Sequence, residues 1–223
     1  ILFLPLEGFQ WAVAVVIAVG AWEWANLTGL TISLFKGLYT LVVLGLCLAL
    51  GWYVPVEEIW YHGKLNDWYL LILYLAAGWW LLSLALIIVY PRLSTFWRTS
   101  VIWRGIFGIL TLIPTWAALV SLRTSLYDIE PLHGASLIFY VLGIVWAADI
   151  GAFFIGVKFG RHKLRPNVSP GKTLEGLLGG VTASFAIIGF AALHYQVDHS
   201  RIWIHLLIGG LTVAVSALGD LNE

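Results

Sequence analysis

Seven stretches of this sequence are apolar for close to the ~20 residues an α-helix needs to cross the hydrocarbon of a bilayer, and no other feature constrains the fold as much. They run from Phe9 to Leu27, Leu34 to Val54, Trp68 to Tyr90, Gly105 to Leu122, Ser136 to Val157, Leu174 to Leu193 and Ile202 to Leu218. Lipid offers the backbone no hydrogen bonds, so such runs fold as helices, and their continuity excludes a barrel of short alternating strands. The expected fold class is all-α, a polytopic membrane protein. Composition agrees, because 61% hydrophobic and 11% charged residues in a chain of 223 leave too little polar surface to wrap a soluble core. The 13 tryptophans suit the level where acyl chains meet headgroups. Pro91, Pro114 and Pro131 mark loops or kinks, and no linker or internal repeat divides the chain, so one transmembrane domain over residues 1–223 is expected. The lack of a repeat also weighs against inverted-repeat transporters. Because the chain opens on Ile1 and contains no methionine, it is expected to be the interior of a longer sequence.

Orientation follows from the cations. The connections after the first, third and fifth spans hold Lys36, then Arg92, Arg98 and Arg104, then Lys158, Arg161, Lys163, Arg165 and Lys172, nine in all. Those after the second, fourth and sixth hold Lys64, Arg123 and Arg201, one each. The bias of nine to three places the first set in the cytoplasm, and Asp220 and Glu223 beyond the seventh span on the same side. Formal net charge is zero, so any electrostatic function rests on local clusters such as these.

Three places carry candidate chemistry. Asp149 lies in the fifth span about 8 residues, or roughly 12 Å, from its cytoplasmic end, on a helical face with Ala152, Phe153 and Gly156. An acid at that depth requires a cation, a metal or a water-filled cavity, the competing reading being a neutral, hydrogen-bonded packing residue. Ala152, Gly156 and Gly160 form a row of small residues that admits a close neighbouring helix. The basic loop comes next, although five cations there are also what the positive-inside bias alone predicts. Its end, Ser169-Pro170-Gly171-Lys172-Thr173, reads as Ser169 at the N-cap of the sixth span, Pro170 at the first helical position, then Gly171 and Lys172 in the opening turn. Free N–H groups and a lysine at a helix start suit a phosphate, and plain capping is the alternative. Pro166 stands where a Walker A loop needs glycine, which excludes a P-loop NTPase. The third place is the chain's end, where Ser216, Gly219, Asp220 and Glu223 share a face. Two carboxylates at i, i+3 suit a hard cation such as Mg²⁺, or form an ordinary solvated helix end.

Other polar residues offer less. Glu23 suits snorkelling or bracing of a partner helix. His194, His199 and His205 match no zinc spacing, His62 and His133 fall in external loops, and His162 is an accessory of the basic loop. A single cysteine, Cys47, excludes an intrachain disulfide and is expected to pack.

The series W-A-A-D-I-G-A-F from Trp146, F-G-R-H-K-L from Phe159, S-P-G-K-T-L-E-G from Ser169 with Gly179-Gly180, and L-G-D-L-N-E from Leu218 resembles bacterial phosphatidate cytidylyltransferases, the CDP-diacylglycerol synthases. A-W-E-W around Glu23 and Y-P-x(5)-W from Tyr90 to Trp97 extend the likeness over most of the chain. The resemblance implies transfer of a cytidylyl group from CTP to phosphatidate, giving CDP-diacylglycerol and pyrophosphate, with Mg²⁺, in the bacterial inner membrane. It implies Asp220 and Glu223 at Mg²⁺, with Asp149 as a second cation site or polar anchor. Lys172 and the Ser169, Gly171 and Thr173 turn would sit on a phosphate, and Lys158, Arg161, Lys163 and Arg165 would draw in the nucleotide or lipid headgroup. The catalytic set is thus Asp220, Lys172 and Asp149, facing the cytoplasm. Bilayer lipid is a further partner, nucleic acid is not, and a homodimer stays open. The family continues past this point into S-x-x-K-R and H-G-G-x-x-D-R-x-D segments and has an earlier first span. The resemblance therefore implies a chain truncated at both ends and catalytically incomplete as given. A CTP-dependent polyprenol kinase and a cation-coupled transporter of an anionic solute are the two alternatives.

Overall fold

The structure is a computed structural model that describes residues 1–90, 97, 99–165 and 169–222, with 165, 170 and 220–222 described by backbone alone. Among these residues seven helices are long and apolar enough to cross a membrane. They are α1 Leu6–Leu27, α2 Ser33–Tyr53, α3 Asp67–Val89, α4 Val101–Thr124, α5 His133–Phe159, α6 Leu174–His194 and α7 Ile202–Asn222. Each coincides with one apolar run, and the protein is a multi-pass, all-α membrane protein. Two small antiparallel hairpins accompany the helices, one of β1 Trp60–Tyr61 with β2 Lys64–Leu65, the other of β3 Lys163–Arg165 with β4 Ser169–Thr173. The first turns on His62 and Gly63, at φ 48° and 75°, the two left-handed positions a tight two-residue hairpin requires.

The chain divides into two compact units, Ile1–Leu82 with Arg92–Ile138 and Ser83–Pro91 with Phe139–Glu223. In the first, Phe9, Val13, Ile17, Ala21 and Ala25 recur every four residues along α1 and are buried, which gives α2 and α4 a continuous face to pack on. Cys47 is buried on α2, as its apolar setting suggested. Aromatic donors tie these helices together: Trp24 Nε1 donates to the Arg104 carbonyl at 2.9 Å, Tyr39 Oη to the Gly105 carbonyl at 2.9 Å and Trp116 Nε1 to the Gln10 carbonyl at 3.2 Å.

Three sequence expectations change in this unit. Of the loop or kink expected at Pro114 the loop is excluded, since this residue is buried inside α4. Lys36 and Arg104 belong to the first turns of α2 and α4 instead of to connections. Arg123, counted above with an external loop, is only 2% exposed in the last turn of α4. Its guanidinium donates to the carbonyls of Leu2, Leu4 and Pro131, each at 3.1 Å, and faces the rings of Tyr127 and Phe9. A buried cation needs its donors used, and a guanidinium fork reaching three carbonyls meets that need where a lysine would not. This arginine pins the chain ahead of α1 to the end of α4.

The second unit has its core at Ile144, Ile188 and Val213, with Tyr140, Val181, Ile187 and Leu206 packed around it, so α5, α6 and α7 each contribute. Ser184 Oγ donates to the Ile144 carbonyl at 2.9 Å, which crosslinks α5 and α6. His205 Nε2 lies 3.1 Å from both Tyr140 Oη and the Ile188 carbonyl, a packing role in place of a metal role.

Candidate active site

The row foreseen on α5 meets α6, since a Cβ on Gly176 would lie 3.0 Å from the Ala152 carbonyl oxygen and 3.3 Å from the Gly156 Cα, and the close contact extends beyond that row. A Cβ placed on Gly180 would lie 2.6 Å from the Ala148 carbonyl oxygen, and one on Gly151 would lie 2.6 Å from the Gly179 carbonyl oxygen. Neither position has room for a side chain. Small residues are what permit backbones in lipid to approach this closely and gain dispersion contact without a hydrophobic drive. Beside this contact a cavity of about 400 Å³ lies between α5, the β3–β4 hairpin, α6 and α7.

The cavity has two characters. Phe153, Val157, Leu177, Val181 and Val213 supply an apolar wall, while Asp149, Lys163, Lys172, Thr173 and Ser216 supply polar groups. Asp149, Ala152, Phe153 and Gly156 do share a face, and all four line this space. Asp149 is exposed on the cavity wall, one of the settings that an acid at that depth requires. A carboxylate in an apolar span is tolerated there because an open cavity admits water or a cation.

The hairpin departs from the sequence expectation. Ser169 does not cap a helix, and Pro170, Gly171 and Lys172 do not form an opening turn; all lie in β4, and α6 begins at Leu174. The N-cap is Thr173, whose Oγ1 accepts from the Gly176 N–H at 3.1 Å. Pairing of Lys163 with Thr173 and of Arg165 with Ser169 keeps the segment extended. The consequence for the site is favourable, since the hairpin brings two lysines to the cavity, Lys163 from β3 and Lys172 from β4. Gly171 and Thr173 line it too, although the Thr173 hydroxyl is engaged as a cap. Lys158, Arg161 and Ser169 are not among the described residues that line it. Lys158 Nζ lies 5.3 Å from the Phe159 ring centroid. The Arg165 and Asp220 side chains and the whole of Glu223 lie outside the described residues.

One participant was missed. Glu175, in the first turn of α6, accepts from the N–H groups of Arg161 at 3.1 Å and His162 at 3.2 Å, and its Oε1 lies 2.6 Å from His162 Nδ1. An acid two residues after a cap threonine was the available signal, because acids favour first turns.

Fit to a hard cation follows from the donors. Among the described residues no group of three or more His, Cys, Asp or Glu side chains is placed to hold a metal. The Asp149 carboxylate and the Ser216 hydroxyl are oxygen donors on the cavity wall, with no thiol or imidazole among the described residues that line it. That set suits Mg²⁺, which binds one or two carboxylates and takes its remaining ligands from water and substrate phosphates.

A family model described as the cytidylyltransferase family matches residues 1–223. The chain belongs to the cytidylyltransferase family. The phosphatidate cytidylyltransferase of Haemophilus influenzae is 37% identical over 227 residues that cover 100% of this chain and 77% of that protein. That of Pseudomonas aeruginosa is 38% identical over 224 residues, covering 99% of this chain and 75% of the relative. A Staphylococcus aureus phosphatidate cytidylyltransferase is 39% identical over 91 residues, 41% of this chain and 34% of that protein. No solved structure matches. Membership makes the protein a nucleotidyltransferase, so two lysines and a carboxylate around one cavity are what a cytidylyltransferase has to work with.

Proposed function

We infer that this chain is a phosphatidate cytidylyltransferase, which transfers the cytidylyl group of CTP to phosphatidate in phospholipid synthesis and yields CDP-diacylglycerol and pyrophosphate. One observation carries the reading: a cavity lined by two lysines and an aspartate together with a set of apolar side chains, in a chain matched along its length by relatives of that name. A phosphate oxygen of phosphatidate attacks the α-phosphorus of CTP, and the bond to the β-phosphate oxygen breaks to release pyrophosphate. Both reactants are polyanions, so the protein's task is to neutralise charge and align the reacting groups. Lys163 and Lys172 receive phosphate oxygens. The apolar wall of Phe153, Val157, Leu177 and Val181 accepts the lipid end, so the tails need not leave the bilayer. Asp149, with Asp220 and Glu223 beyond it in the chain, would hold Mg²⁺. That ion would supply further neutralisation of phosphate charge when bound. By the cation bias the cavity faces the cytoplasm, which has CTP, and the membrane is the bacterial inner membrane.

The polyprenol kinase and transporter readings are not favoured by these relatives. The position of label separates all three. With full-length protein in phosphatidate vesicles and Mg²⁺, α-labelled CTP is expected to label the lipid and γ-labelled CTP to label pyrophosphate. γ-Label in lipid contradicts the reading in favour of a kinase, and solute flux without CTP turnover contradicts it in favour of a transporter.

A further inference from the structure

Glu175 is not among the described residues lining the cavity, yet three donors of the segment that follows α5 converge on its carboxylate. α5 ends with the Gly160 N–H donating to the Gly156 carbonyl at 3.0 Å, and the next two N–H groups, those of Arg161 and His162, both turn to Glu175. An ionised carboxylate only accepts, so His162 Nδ1 is the donor in the 2.6 Å contact. The same turn is tied a second time, by the Leu174 N–H donating to the His162 carbonyl at 2.8 Å. Directly after His162 comes Lys163, which pairs with Thr173 beside Lys172, and both lysines line the cavity. The clasp therefore sits one residue from one phosphate-binding lysine and three from the other.

We propose that Glu175 is a positioning residue for the nucleotide: by clasping the turn at Arg161 and His162 it fixes the hairpin that holds Lys163 and Lys172 on the cavity wall. This rests on the cytidylyltransferase reading above. A lysine is a point charge on a flexible stem, so the precision with which it meets a phosphate is set by its backbone. Two ammonium groups on neighbouring strands match a run of linked phosphates, whereas a phosphate monoester is served by one. Losing the clasp therefore affects the triphosphate more than the lipid.

The test compares Glu175→Ala, Glu175→Gln and His162→Ala in the full-length protein in vesicles. The Michaelis constants for CTP and phosphatidate are measured separately, together with thermal unfolding and amide exchange at Arg161 and His162. Glu175→Ala is expected to raise the CTP constant about tenfold, to leave kcat and the phosphatidate constant within about twofold, and to speed exchange at both amides. Glu175→Gln keeps an oxygen for the backbone N–H groups and falls between alanine and wild type; it also reads the effect if the alanine variant does not fold. His162→Ala stays near wild type, because the backbone contacts survive. An unchanged CTP constant in Glu175→Gln and Glu175→Ala, an equal rise for phosphatidate, or a fall in kcat alone overturns the proposal. Wild-type protein that forms no CDP-lipid sinks the functional reading, and an active wild type with indifferent Glu175 variants sinks the proposal alone.

Discussion

Replacing Lys172 with alanine is expected to lower kcat/KM for CTP by about 10²- to 10³-fold, the usual loss when one group stabilising developing charge is removed from a preorganised site. Lys172 lines the cavity from β4, across the hairpin from Lys163, and the hairpin's pairing holds its backbone in place. Lys172→Arg keeps the charge but not the shape of the donor, and is expected to retain more activity than alanine without reaching wild type. Lys158 provides the control. It belongs to the same cationic stretch but lies against the Phe159 ring and not among the described residues of the cavity. Its alanine variant should change the rate by less than about threefold, as expected for a solvated charge. Initial rates of CDP-diacylglycerol formation across a CTP series check both. Equal losses at the two positions would mean that bulk positive charge, and not the hairpin's geometry, recruits the nucleotide.

The second large effect concerns the crossing of α5 and α6. Gly180→Leu places a Cβ against the Ala148 carbonyl oxygen at 2.6 Å and the Ala152 Cβ at 3.3 Å. Backbone cannot rotate aside as a side chain does, so the helices have to separate. The cost belongs at or above the upper end of the ~1 to 3 kcal/mol typical of overpacking. Gly189→Leu, on the same helix, meets nothing within 4 Å. There the change from glycine to a good helix former is neutral or stabilising by up to about 1 kcal/mol. Thermal unfolding followed by size exclusion in detergent should show Gly180→Leu melting far below wild type and Gly189→Leu at or above it. Equal behaviour of the two variants would mean that the crossing does not hold the site together.

The membrane layout was legible in the sequence because a span has no competing solution: twenty apolar residues in a row satisfy their backbone as a helix or not at all. The face of Asp149, Ala152, Phe153 and Gly156 was legible for a related reason, since the helical period and the small residues both select it. The β3–β4 hairpin was not. Ser169 and Thr173 are both good cap residues, and local preference placed the cap at the first of them. The choice of Thr173 depends on Lys163 pairing across the hairpin and on Glu175 reaching back to Arg161 and His162, contacts between residues ten or more positions apart. Arg123 was misplaced in the same way, because a charge at a helix end looks solvated until the three carbonyls it serves are known. Ser216 shares a face with Asp220 by sequence period and lines the cavity, whereas the Asp220 side chain and Glu223 lie outside the described residues.

A structure of the full-length protein with Mg²⁺ and a CTP analogue that cannot be cleaved at the α-phosphorus tests the central claim most directly. The triphosphate is expected in the cavity between α5, the hairpin, α6 and α7, with Lys163 and Lys172 within hydrogen-bond distance of its oxygens and Asp149 lining the same cavity. Nucleotide bound elsewhere, with both lysines turned from its phosphates, would contradict it.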